Sequence, residues 1–124
     1  EPISLGYIIV GDGGTAGIVG NAPPIPYSKS ELVIAHALAG QYLGMRFIYL
    51  EGGSGTKIPV PPKIIRAVKN VLDIPLIVGG GIRTKEQAIS AASAGADIIV
   101  TGNLIESNDV TQKTVEIIKG IRNV

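Results

Sequence analysis

Four short, mostly apolar runs recur along the chain: Tyr7–Val10, Arg46–Leu50, Leu76–Val78 and Asp97–Val100. Each precedes a turn and a stretch with helical spacing. They are rich in Ile, Val and Tyr, as strands covered on both faces are. Glycine boundaries and the helices between them favour strands over buried helix. The first helix is predicted from about Lys29 to Leu43, with Ser28 and Glu31 as a capping box and Gly44 as the stop. The second begins at Pro61-Pro62, where proline is tolerated. Its apolar stripe is Ile65, Val68 and Leu72, and it ends before Asp73-Ile74-Pro75. Thr84 and Gln87 form a capping box for a third helix reaching about Ala94, and Gly95 stops it. Its small residues Ala88, Ala91 and Ala92 allow close approach to a sheet. Asp109 or Thr111 opens the last helix, with Val115, Ile118 and Ile121 or Arg122 on the packed side.

The order β-α-β-α-β-α-β-α with right-handed crossovers implies an α/β fold with a parallel sheet. Two architectures remain, an open doubly wound sheet and one half of a TIM-type (βα)8 barrel. Energetics favours the half barrel, four βα units that need a partner. Helices on one face leave the other face of the sheet bare, and both outer strands carry unpaired backbone groups. At 124 residues the chain suffices for one domain and not two. It lacks an initiating Met, consistent with a fragment of a longer protein.

Apolar residues make up 45% of the chain, so disorder is excluded. Net charge is +1 with both signs interspersed, which argues against a nucleic-acid or membrane-binding surface. Cysteine is absent and His36 is the single histidine, which excludes disulfides, thiolate metal sites and His-based ones. His36 reads as structural or solvated. No apolar run reaches the roughly 18 residues of a membrane span. A soluble protein of the cytoplasm is expected.

Three glycine-rich turns follow strands: Gly52-Gly53-Ser54-Gly55, Gly79-Gly80-Gly81 and Thr101-Gly102-Asn103. Turns at the carboxyl ends of parallel strands open on one face, where their amides can converge on an anion. Ser54 and Gly55 are placed to donate to phosphate oxygens, and residues Asn103–Glu106 to form a short helical turn aimed at the same point. In the second strand Phe47, Tyr49 and Glu51 share one face, and Ile48 and Leu50 the other. The aliphatic pair suits the outer helices. Glu51 then points inward at the top rim with Tyr49 one layer below. A carboxylate there can accept substrate hydroxyls or act as a general base. The competing reading is an ion pair with Arg83 or Lys57. Arg83, Lys57 and Asp12 remain open between anion contacts and ordinary surface or turn roles. The stretch Gly11–Tyr27 reads as a long unstructured loop and a candidate lid.

The strings Tyr49-Leu50-Glu51-Gly52-Gly53-Ser54-Gly55, Val78-Gly79-Gly80-Gly81-Ile82-Arg83 and Val100-Thr101-Gly102-Asn103 resemble those of geranylgeranylglyceryl phosphate synthases, archaeal ether-lipid prenyltransferases. Tyr7-Ile8-Ile9-Val10-Gly11-Asp12-Gly13-Gly14-Thr15 is similar to that family's fifth-strand region. The resemblance implies a (βα)8 barrel of which this chain is the carboxy-terminal half, units 5 to 8. It implies transfer of a geranylgeranyl group from geranylgeranyl diphosphate to the 3-hydroxyl of sn-glycerol 1-phosphate, with Mg²⁺ assisting departure of diphosphate. The glycerol-phosphate site would fall on Tyr49, Leu50, Glu51, Gly52, Gly53, Ser54, Gly55, Gly80, Gly81, Gly102 and Asn103. Residues near Ala16 and Gly17 would line part of a groove for the tail. The family's Mg²⁺-binding acidic residue lies near its first strand, which has no counterpart here. The complementary amino-terminal half barrel is therefore an expected partner, a homo-oligomer is expected, and the chain alone should be inactive. Gly52 stands where the family often has alanine. Rival readings are a sugar-phosphate isomerase, an FMN oxidoreductase, or a non-catalytic half-barrel module.

Overall fold

The computed structural model describes residues 1–102 and 109–124. In chain order the elements are β1 (Leu5–Ile9), α1 (Gly14–Val19), α2 (Ser30–Tyr42), β2 (Phe47–Glu51), α3 (Pro62–Lys69), β3 (Leu76–Gly79), α4 (Lys85–Ser93), β4 (Ile98–Val100) and α5 (Val110–Ile121). All neighbouring strands are parallel, and their spatial order is their chain order, β1-β2-β3-β4. A doubly wound sheet reverses its order at a switch point. This one does not, so right-handed crossovers stack α2, α3 and α4 on the same side, while α1 packs over Ile9 at the rim.

The two faces of the strands differ accordingly. On the helix side Ile48, Leu50 and Leu76 are fully buried, packed with Val33, Ile64, Ile65 and Val68. On the opposite side Leu5 is 38%, Tyr7 48%, Ile98 43% and Val100 40% exposed. Those alternate residues are the inner layers of a barrel left half closed.

The second and third predicted helices start where the sequence places them, and α4 also stops there, whereas α3 ends at Lys69 and leaves Leu72 beyond it. Pro61 and Pro62 open α3, and Thr84 and Gln87 make the reciprocal capping box of α4. Three expectations need correction. The first helix is capped at Lys29 without a side-chain bond, so Ser28 lies one position too early to act. Residues 11–27 are not structureless. Gly14–Val19 forms α1, and Ile25 bridges to Val10 as a short parallel extension of the sheet. Gly11 N–H donates to Ile25 O and Ile25 N–H to Ile9 O, both at 2.9 Å. Tertiary packing overrides the poor helix propensity of this glycine-rich segment. Finally, α5 buries Ile117 and Gly120 and packs Ile121 against the core, whereas Val115 and Ile118 are exposed. The contact with α4 is made through Gly120, where a Cβ would meet Lys85 Cγ at 2.9 Å and Ile89 at 3.1 Å.

Candidate anion and hydroxyl site at the strand ends

Parallel pairing brings the carboxyl ends of all four strands to one rim. Ile9 pairs with Glu51, Glu51 with Gly79, and Gly79 with Val100. A cleft of about 100 Å³ opens there, lined by Tyr49, Glu51, Ser54, Gly80, Gly81, Ile82, Val100 and Gly102. All three glycine turns thus meet at one place. A larger hollow of about 490 Å³ lies between α1 and Pro23-Pro24, with Gly14, Gly17 and Ile18 in its wall. The smaller cleft carries the carboxylate and the polar turns, and the site is assigned to it. Ala16 does not line the larger hollow, although Gly17 does.

Glu51 is 8% exposed and held by one donor on each oxygen. Its Oε1 accepts the Gly53 N–H at 2.7 Å, and its Oε2 accepts the Tyr7 O–H at 2.8 Å. Each oxygen keeps a second lone pair. Neither Arg83 nor Lys57 pairs with it. The ion pairs among the described residues are Arg46–Glu1 and Lys69–Asp97, both outside the cleft.

The tyrosines respond to this buried charge. Burial, then the hydrogen bond to Glu51 and its charge, pushes the Tyr7 phenol up to about 12. Burial, then the charge of Glu51, raises Tyr49 further. Tyr27 is also pushed up to about 12, by burial and then by Asp12 and Glu51. All three phenols are protonated donors at neutral pH. The Tyr7 and Tyr49 rings stack with centroids 4.8 Å apart.

Backbone geometry divides the predicted amides into two classes. Gly52 N–H donates to Gly79 O at 3.0 Å, and Gly53 N–H is held by Glu51. Neither is free for a ligand. No hydrogen bond among the described residues uses the amides of Ser54, Gly80 or Gly81. Gly80 has φ 89°, and a Cβ on it would lie 2.7 Å from Gly53 N and 2.8 Å from Glu51 Oε1. Its glycine identity therefore allows the turns after β2 and β3 to touch. Gly79 serves a different purpose. A Cβ there would collide with the Tyr49 hydroxyl, so the residue is a seat for that ring.

Leu50, expected in the site, is fully buried on the helix face, and its side chain cannot reach the cleft. Gly55, with φ 79°, stands in open space beyond it. Asn103 and the short turn expected at residues 103–106 lie outside the described residues. Asp12 is more than a turn-former, because it accepts the Thr56 O–H at 3.1 Å and ties the β1 loop to the β2 loop. Sequence reasoning passed over Tyr7, Tyr27 and Thr56. Tyr7 carries a readable signal: it alternates with Leu5 and Ile9 on one face of an apolar strand.

The sequence profile of the PcrB family matches residues 1–121. Among curated relatives, the geranylgeranylglyceryl phosphate synthase of Pyrococcus abyssi is 56% identical over 98% of this chain and 50% of its own length. That of Thermococcus kodakarensis is 59% identical over 94% of this chain and 46% of its own length. Among solved structures, the (S)-3-O-geranylgeranylglyceryl phosphate synthase of Thermoplasma acidophilum, in complex with substrate sn-glycerol-1-phosphate, superposes with a TM-score of 0.96 at 45% identity. The match covers 100% of this chain and 51% of that one. The chain thus spans about half the length of the curated relatives it matches, and its four strands correspond to half of a TIM barrel. A profile matching nearly every residue, on a sheet wound as a half barrel, means that this chain belongs to the PcrB family.

Proposed function

We propose that this chain forms the glycerol-phosphate half of a prenyltransferase that joins geranylgeranyl diphosphate to the 3-hydroxyl of sn-glycerol 1-phosphate. One observation carries the reading. A buried carboxylate with free lone pairs shares its cleft with unpaired backbone amides, in a chain that superposes end to end on a synthase solved with sn-glycerol-1-phosphate.

The amides of Ser54, Gly80 and Gly81 donate to the phosphate oxygens, together with Gly102 and Asn103. Gly52 and Gly53 act through shape and through their hold on the neighbouring strand and on Glu51. Leu50 contributes only by fixing Tyr49 and Glu51 on the inner face. Glu51 accepts the glycerol 3-hydroxyl and takes its proton as the oxygen attacks C1 of the prenyl chain. The bond from C1 to the diphosphate oxygen breaks, and its electrons leave with diphosphate. Fixing the phosphate end orients the nucleophile, so the reaction becomes effectively intramolecular. The hollow beside Gly17 and Ile18 is an apolar path for part of the chain.

Magnesium chemistry is assigned to the complementary half barrel. No group of three or more His, Cys, Asp or Glu gathers among the described residues, and both Glu51 oxygens already accept protein donors. These residues do not fit a magnesium site, and no step runs through one here.

The test is a chimeric barrel in which residues 1–124 replace the aligned half of the Pyrococcus abyssi relative. The chimera is expected to form the ether from labelled geranylgeranyl diphosphate and to bind sn-glycerol 1-phosphate in calorimetry. Glu51→Gln should slow transfer by roughly 10²-fold or more, the usual worth of a general base. A folded chimera that neither binds the phosphate nor makes the ether overturns the reading. A tightly bound yellow flavin would point instead to an FMN oxidoreductase.

A further inference from the structure

The Glu51 side chain has three rotatable bonds, and the Gly53 amide fixes only one of its oxygens. The second restraint comes from another strand. Tyr7 pairs in register with Tyr49, one layer below Glu51, and reaches it diagonally, the distance that long aromatic side chains span between strands. Its ring lies against Tyr49 at 23° to the parallel, and the Tyr49 hydroxyl is itself seated over Gly79. The stack therefore closes one side of the phenol ring.

We propose that Tyr7 is a positioning residue, whose O–H holds Glu51 Oε2 so that the carboxylate presents its remaining lone pairs to the ligand hydroxyl. This rests on the role given to Glu51 in the proposed function. The raised phenol pKa, about 12, keeps the donor proton in place across the working range.

The experiment is a double-mutant cycle of Tyr7→Phe and Glu51→Gln in the chimeric barrel. Phe keeps the ring and its stack and removes only the O–H. On the Glu51 background, Tyr7→Phe is expected to lower kcat/KM for sn-glycerol 1-phosphate by roughly tenfold, with KM for the prenyl diphosphate unchanged. Calorimetric affinity for sn-glycerol 1-phosphate, read without turnover, should fall several-fold. On the Glu51→Gln background the same change should cost less than about twofold, because residues acting as one unit are not additive. Equal losses on both backgrounds, or parallel losses for both substrates, would make Tyr7 a merely structural residue and overturn the proposal. No loss on the Glu51 background would do the same. If Glu51→Gln alone changes nothing, the failure belongs to the proposed function and not to Tyr7.

Discussion

Three glycines at the rim differ in what an added methyl group would meet, which makes alanine a graded probe of the site. At Gly102 no atom of the described residues lies within 4 Å of the Cβ position, and φ is outside the left-handed region. At Gly55 there is also open space, but φ is 79°. At Gly80 φ is 89°, and the Cβ would meet Gly53 N at 2.7 Å, Glu51 Oε1 at 2.8 Å and Gly53 O at 2.9 Å. Two of those three atoms are backbone and cannot rotate aside. Gly102→Ala should therefore change stability by less than about 0.5 kcal/mol, as an uncrowded surface change does. Gly55→Ala should cost about 1–2 kcal/mol for the left-handed backbone alone. Gly80→Ala should cost about 2–5 kcal/mol, the same strain plus roughly 1–3 kcal/mol of overpacking. It should also weaken sn-glycerol 1-phosphate binding beyond what Gly55→Ala does, because it pushes Glu51 and the β2 turn apart. Urea unfolding and calorimetry on the chimeric barrel measure both. If Gly80→Ala matched Gly55→Ala in both readouts, the close contact between the two turns would not be what organises the cleft.

Two further outcomes follow from local bonds. Thr84 Oγ1 accepts Gln87 N–H at 3.3 Å and Gln87 Oε1 accepts Thr84 N–H at 3.2 Å, so Thr84→Ala should cost about 1 kcal/mol in urea unfolding, and Thr84→Ser much less. Asp97 opposes its own burial with a hydrogen bond from Lys69, the Leu76 amide and the Lys69 charge, which together hold its carboxyl below the ordinary value. A depressed carboxyl contributes stability that is complete above the ordinary value, about 3.9, and is lost as pH falls through the folded one. The side chains of the pair are 31% and 40% exposed. Asp97→Asn should thus cost under about 1 kcal/mol at neutral pH. That gap should close in acid, and a gap independent of pH would contradict the assignment.

Much of this architecture was legible because the relevant signals are local. Alternation in Phe47–Glu51 separates helix-facing Ile48 and Leu50 from inward Tyr49 and Glu51, and the structure keeps that division. Glycine after each strand marks the rim. What escaped depends on partners distant in sequence. Tyr7 is 44 positions from the carboxylate it holds, and only strand register brings them together. Whether an amide is free is likewise a property of its neighbours: Gly52 and Gly53 look as available as Ser54 until Gly79 and Glu51 are in place. The helix α1 escaped because Gly14 and Gly17 disfavour helix locally. Gly14 is selected by contact, since a Cβ there would lie 3.2 Å from both Gly53 Cα and Ser54 N.

The bare face of the sheet bears directly on how the site would work when assembled. Tyr7 and Tyr49 belong to an inner layer that the helices do not cover, and Tyr7 is still 48% exposed. A hydrogen bond in that setting competes with water and is worth about 0.5–1.5 kcal/mol, more when one partner is charged. Covering the layer with the complementary half barrel would remove that competition and lower the local dielectric. The Tyr7–Glu51 bond then becomes stronger, and an unpaired Glu51 more costly. Burial of the phenol, already the largest cause of its raised pKa, would raise it further and keep it a donor. Closure of the barrel and orientation of the carboxylate are in this reading one event. On the proposed function, the four strands would hold the recognition groups in outline, and a complementary half barrel would supply the dry surroundings in which those groups act at full strength.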